Sequence, residues 1–156
     1  MNLLALLSTD LIWSALAAIG FAILFRTPRR LLPYCAIVGA FGHACRTLLL
    51  VLGAGLIPAS LVGGLVVGFS GYGLSRHYRF PTPAITVPGI IPLVPGSIAF
   101  QSLVTLIKAI SAGPEAAADL LVLAAYDAVT AGLIILSLGL GLLAPFLLLR
   151  RNRPVI

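Results

Sequence analysis

Charge is the scarcest commodity in this sequence. Of 156 residues, 9% are charged and only four are acidic, whereas a soluble domain carries roughly 25% charged residues. With 60% hydrophobic residues and a mean hydropathy of +1.15, the chain has more apolar surface than a water-soluble core can hide. Ten basic residues leave a net charge of +6, but nucleic-acid binders gather such residues on a polar domain that is missing here, so no nucleic-acid partner is expected. Cysteine is limited to Cys35 and Cys45. They fall on one expected helix about 15 Å apart along its axis, too far to bridge within it. No Cys/His spacing for a metal, Gly-rich phosphate loop, Ser/His/Asp set or low-complexity tail occurs. Soluble-enzyme chemistry has no support, and no cofactor or metal is expected.

What the sequence has instead is apolar runs of membrane length. Five are expected to span, at about 3–25, 32–52, 57–75, 84–112 and 118–149, each supplying the roughly 20 residues a bilayer core requires. The first run could be a secretory signal, but its positive charges, Arg26, Arg29 and Arg30, follow the apolar stretch rather than precede it, which favours an uncleaved span. Arg76, His77 and Arg79 occupy the loop after the third run, and Arg150, Arg151 and Arg153 end the sequence. These are alternate connections and share one side. By the bias of Arg and Lys toward the cytoplasm, the N-terminus lies outside and the C-terminus inside. Splitting the fourth or fifth run to make six spans would break that alternation. The expected fold is an all-α integral membrane protein, a single transmembrane domain over residues 1–156.

The fourth run is irregular. Pro83, Pro88, Pro92 and Pro95, with Gly89 and Gly96, interrupt its first half. Proline removes a backbone donor and clashes with the preceding turn, so no ordinary helix is expected through this stretch. Broken backbone at membrane depth survives where protein buries it or water lines it. Helix is expected to resume near Gly96, which places amides with a partial positive charge near the bilayer midplane, the arrangement by which transporters hold anions. Ser97, Gln101 and Ser102 follow directly and would line such a site. A kinked structural helix is the competing reading.

Polar side chains inside the other runs are few. His43 and Arg46, three apart, share a helix face that Gly39 and Gly42 extend. An arginine within a span costs at least ~2.5 kcal/mol on insertion scales and normally has a partner. Matching depths of about 10 Å nominates Asp127. In one reading Arg46 takes a substrate carboxylate while Asp127 or His43 exchanges a proton; in the other, Arg46 and Asp127 form a static pair that locks helices. An intramembrane hydrolase built on His43 and Asp127 lacks a nucleophile or ligand set beside them. Gly64, Gly68 and Gly71 recur on one face of the third run, with Ser60 and Ser75, and suit close helix packing. Asp10 and Trp13 read as interfacial anchors, and Lys108 and Asp119 as residues flanking an outer connector.

Gly-His-x-x-Arg (Gly42, His43, Arg46) in the second run and Pro-x-x-Pro-Gly (Pro92, Pro95, Gly96) in the fourth, in a five-span chain, resemble the threonine/serine exporter (ThrE) family, specifically its small YjjB-like membrane subunits. The resemblance covers nearly the whole chain. It implies a bacterial inner-membrane, multi-pass subunit exporting threonine and serine, or succinate and related dicarboxylates, driven by an ion gradient. It also implies a YjjP-like second subunit as partner, for which the chain contains no counterpart, and leaves room for a homo-oligomer. The motif positions Pro92, Pro95, Gly96, His43 and Arg46 carry over. Asp127 stands where relatives are expected to have an uncharged Asn, a departure from the pattern. Against the exporter reading stands a non-transporting scaffold that stabilises a partner transporter chain.

Overall fold

The computed structural model describes residues 3–149. Its helices are α1 (Leu3–Leu24), α2 (Leu32–Val51), α3 (Leu56–Tyr78), α4 (Pro83–Ile90), α5 (Gly96–Ser111) and α6 (Pro114–Leu149), with 3₁₀ turns at Arg29–Leu31 and Ile91–Leu93 and no strand among the described residues. Four helical stretches are long and apolar enough to cross a membrane, and Pro83–Leu93 with Gly96–Ser111 makes a fifth if the broken pair counts as one span. Large apolar side chains such as Ile12, Trp13, Ile23, Phe41, Phe100 and Val122 lie exposed, as an apolar solvent requires and water does not tolerate. The architecture is that of a multi-pass membrane protein. Arg150, Arg151 and Arg153, used above to orient the chain, lie outside the described residues.

The helices stop where the backbone can be satisfied. α1 ends with Arg26 at φ 56°, Thr27 N–H bonding Ala22 O at 2.9 Å and Arg26 N–H bonding Ile23 O at 3.0 Å. α3 ends alike at Arg79, φ 56°, with Phe80 N–H on Ser75 O at 3.2 Å. This closure normally uses glycine, as Gly53 does after α2 at φ 87°. An arginine there carries a left-handed penalty of roughly 1–2 kcal/mol, partly offset by its charge beside a helix C-terminus.

The residues fall into two compact units, 3–93 with 137–149, and 94–136. In the first, α2 is central and packs on α1, α3 and α4. Close approach rests on small residues, since lipid offers no hydrophobic drive between helices. A Cβ on Gly64 would lie 2.8 Å from Leu138 O, and one on Gly68 2.8 Å from Gly141 O. Gly71 is equally tight, against the side chain of Thr86. Gly64 and Gly68 therefore face the C-terminal part of α6, and Gly71 faces α4. In the second unit, buried Ser102 on α5 donates to Ala124 O on α6 at 2.8 Å.

One expectation is corrected. Helix does run through Pro83–Ile90, with Pro83 at its first turn and Pro88 inside it. Pro83 takes a position where no intrahelical donor is needed. Pro88 deprives the Ala84 carbonyl of its helical partner, and the buried Cys35 thiol, 3.6 Å away, takes that carbonyl instead. The true break is shorter, from Ile91 to Pro95.

Candidate functional site

The polar residues of the first unit converge beside that break. α1 contributes Asp10, the one acidic residue in the sequence before Glu115. Its Oδ2 lies 3.2 Å from His43 Nδ1 on α2 and accepts a hydrogen bond from Thr47 Oγ1, one helical turn further on. Asp10–His43 is the one contact between a carboxylate and a basic side chain among the described residues. On the same face of α2, Arg46 donates from Nη1 to the Leu93 carbonyl at 2.6 Å. All four polar side chains are partly buried.

Each contact has a local cause. α1 and α2 are consecutive helices joined by a short turn at Pro28, so the N-terminal part of α1 meets the C-terminal part of α2. Asp10 is seven residues into α1 and His43 eight residues before the end of α2, depths of about 10 and 12 Å at helical rise. Leu93 ends the 3₁₀ turn at the break, and a carbonyl at a helix end has no intrahelical donor. Arg46 supplies one. The Leu93 side chain is itself fully buried, seated between Gly42 and Gly63: a Cβ on Gly63 would come within 2.6 Å of Leu93 Cδ2. Gly42 of the Gly-His-x-x-Arg motif is equally constrained, 2.5 Å from Val67 Cγ2 by the same measure.

Pro92 is half-buried and Pro95 buried, within the break, while Gly96, Ser97 and Gln101 open α5 with exposed positions. Gly96 N–H bonds Val94 O at 2.8 Å, and Ala99 N–H bonds Pro95 O at 3.0 Å. Asp127 sits half-buried on α6 in the second unit. Trp13 is exposed, as an anchor would be, but Asp10 is not one: its carboxylate is engaged by α2. Among the described residues no group of three or more His, Cys, Asp or Glu is placed to hold a metal.

The sequence pattern reads Asp10 only as an interfacial anchor and does not single out Thr47, whereas both meet in this cluster. A signal exists, because depth matching applied to α1 and α2 places Asp10 opposite His43. Leu93 acts through its carbonyl, which no side-chain pattern announces.

The arrangement combines a titratable pair with an arginine fastened to a broken helix. A family model described as "Threonine/Serine exporter, ThrE" matches residues 10–148, a stretch containing every residue of this cluster. An uncharacterized protein of Haemophilus influenzae is 33% identical over 147 residues, covering 94% of this chain and 49% of that protein. The chain thus spans about half the length of that curated relative. No solved structure matches it. With most of its length covered by the family model, this chain belongs to the threonine/serine exporter family.

Proposed function

We propose that this chain is a membrane subunit of a secondary exporter of small carboxylate-bearing solutes, threonine and serine or succinate, working with a YjjP-like partner subunit in a bacterial inner membrane. The N-terminus lies outside and the C-terminus in the cytoplasm. The supporting observation is the Asp10–His43 pair one turn from Arg46. A histidine bonded to a carboxylate within a membrane can exchange a proton. An arginine whose partner is a neutral carbonyl can trade it for a substrate carboxylate, a stronger, charge-assisted bond. Pro92, Pro95 and Gly96 interrupt the regular backbone, and Ser97, Gln101 and Asp127 are proposed as further solute-facing residues from their polar chemistry alone. Solute binding at Arg46 would release Leu93 and the broken segment, while protonation at His43 resets the pair with Asp10.

The Arg46–Leu93 bond also favours a second reading, in which Arg46 only holds the broken segment and the chain is a scaffold for a partner transporter. Efflux of threonine, serine and succinate from loaded cells co-expressing both subunits separates the two. The exporter reading expects Arg46→Gln to stop efflux of one solute class in an assembled complex. The scaffold reading expects loss of assembly instead, and that outcome would retire the exporter role for Arg46.

A further inference from the structure

The Arg-rich end of the first unit holds a cavity of about 570 Å³ lined by Arg30, Tyr34, Tyr78, Arg79 and Phe80, among others. The loops after α1 and α3, far apart in sequence, therefore meet at one end. Among the described residues, neither the Arg30 nor the Arg79 side chain has a hydrogen-bond or ion-pair partner. No acidic residue occurs between Asp10 and Glu115, and Asp10 lies about 24 Å from Arg26 along α1. The aromatic wall is ordered: Tyr34 and Tyr78 have centroids 4.9 Å apart, and Tyr78 stacks on Phe80. A second cleft, about 350 Å³, shares Pro28 and Ala84 with the first. It runs from Arg26 along the apolar side of α4 at Pro83, Val87 and Pro88.

We propose that this end is a binding site for an anionic phospholipid. Arg30 and Arg79 hold its headgroup phosphate, and an acyl chain follows the cleft along α4. Charge complementarity selects the anion: two guanidiniums with no side-chain partner and no carboxylate beside them among the described residues match a phosphate, and basic pockets between membrane helices are sites for such headgroups. The adjoining apolar cleft selects a lipid over a soluble anion, which has no use for it. Tyrosines at the rim suit the headgroup level. The site is separate from the Asp10–His43 and Arg46–Leu93 contacts and does not depend on which solute is exported.

The test is native mass spectrometry of the full chain in a neutral detergent, titrated with phosphatidylglycerol or phosphatidylcholine of identical acyl chains. Glycerol 3-phosphate and succinate serve as soluble competitors. Phosphatidylglycerol is expected to bind about tenfold or more tighter than phosphatidylcholine, and neither soluble anion is expected to displace it. The double variant Arg30→Gln with Arg79→Asn, the latter keeping a residue suited to the left-handed conformation, is expected to abolish that preference. The charge-matched control Arg29→Gln with Arg76→Gln keeps it. If the double variant is not helical by circular dichroism, Val87→Trp decides: it fills the cleft with both arginines in place and is expected to weaken binding. Equal binding of the two lipids, displacement by a soluble anion, equal loss in the control pair, or full binding by Val87→Trp each overturns the proposal.

Discussion

Arg46 and Leu93 are joined by a 2.6 Å hydrogen bond from a guanidinium to a carbonyl within the helix break, at the end of its 3₁₀ turn. The bond ties the central helix α2 to the segment whose prolines end the regular backbone. It gives a motif arginine a structural partner, for which, under the proposed function, a solute carboxylate competes.

Replacing Arg46 by Gln is expected to leave the Leu93 carbonyl poorly satisfied and to destabilise the protein by about 1–3 kcal/mol. Arg46→Lys, which keeps charge and a donor, is expected to lose less. Thermal unfolding in detergent checks the order. Equal stability of all three proteins would mean that the bond contributes nothing to holding the break.

Asp10, His43 and Thr47 are expected to behave as one unit. In a double-mutant cycle, Asp10→Asn and His43→Gln should depart from additivity by roughly 0.5–3 kcal/mol. In efflux assays Asp10→Asn is expected to remove dependence on the proton gradient. Thr47→Val, which deletes only a neutral donor, is expected to cost about 1 kcal/mol of stability while the gradient dependence survives. Purely additive stabilities would separate Asp10 from His43.

Two glycines on α3 make opposite predictions. Gly68→Ala places a Cβ against Gly141 O and Leu142 O, an overpacking expected to cost about 1–3 kcal/mol. Gly73 has open space where a Cβ would go, so Gly73→Ala is expected to stabilise the helix by about 0.5–1 kcal/mol. Melting temperatures of both variants check the sign.

Cys35 and Ala84 yield the fourth prediction. Cys35→Ala strands the Ala84 carbonyl and is expected to destabilise the protein. The effect should shrink in a Pro88→Ala background, where residue 88 regains the donor that proline lacks. Cys35 is fully buried and Cys45 partly accessible, so a maleimide is expected to label Cys45 first under native conditions. Labelling of Cys35 at an equal rate would contradict its burial.

The amino-acid pattern carries much of the fold. The apolar runs and their lengths place α1, α2 and α3 to within about three residues at either end, because a span's length answers to bilayer thickness. Gly64, Gly68 and Gly71 are legible as a packing face, since small residues at helical spacing have few other uses in a membrane. The first half of the fourth run is where the pattern misleads: proline density predicts where backbone donors are missing, not whether a neighbouring helix will satisfy the carbonyls they leave. Cys35, forty-nine residues before Ala84, is outside the reach of any local rule.

The sequence by itself determined that the chain is a bundle of apolar helices, where the Arg-rich turns fall, and that the backbone must break between α4 and α5. Those features follow from composition and from constraints that act along the chain. Only the tertiary structure decided that His43 meets Asp10, that Arg46 reaches the Leu93 carbonyl, and that Arg30 and Arg79 share one cavity. A helix position reveals its depth and its face, but the neighbour on that face is chosen by which helices lie alongside, and the close approach of small residues sets that choice.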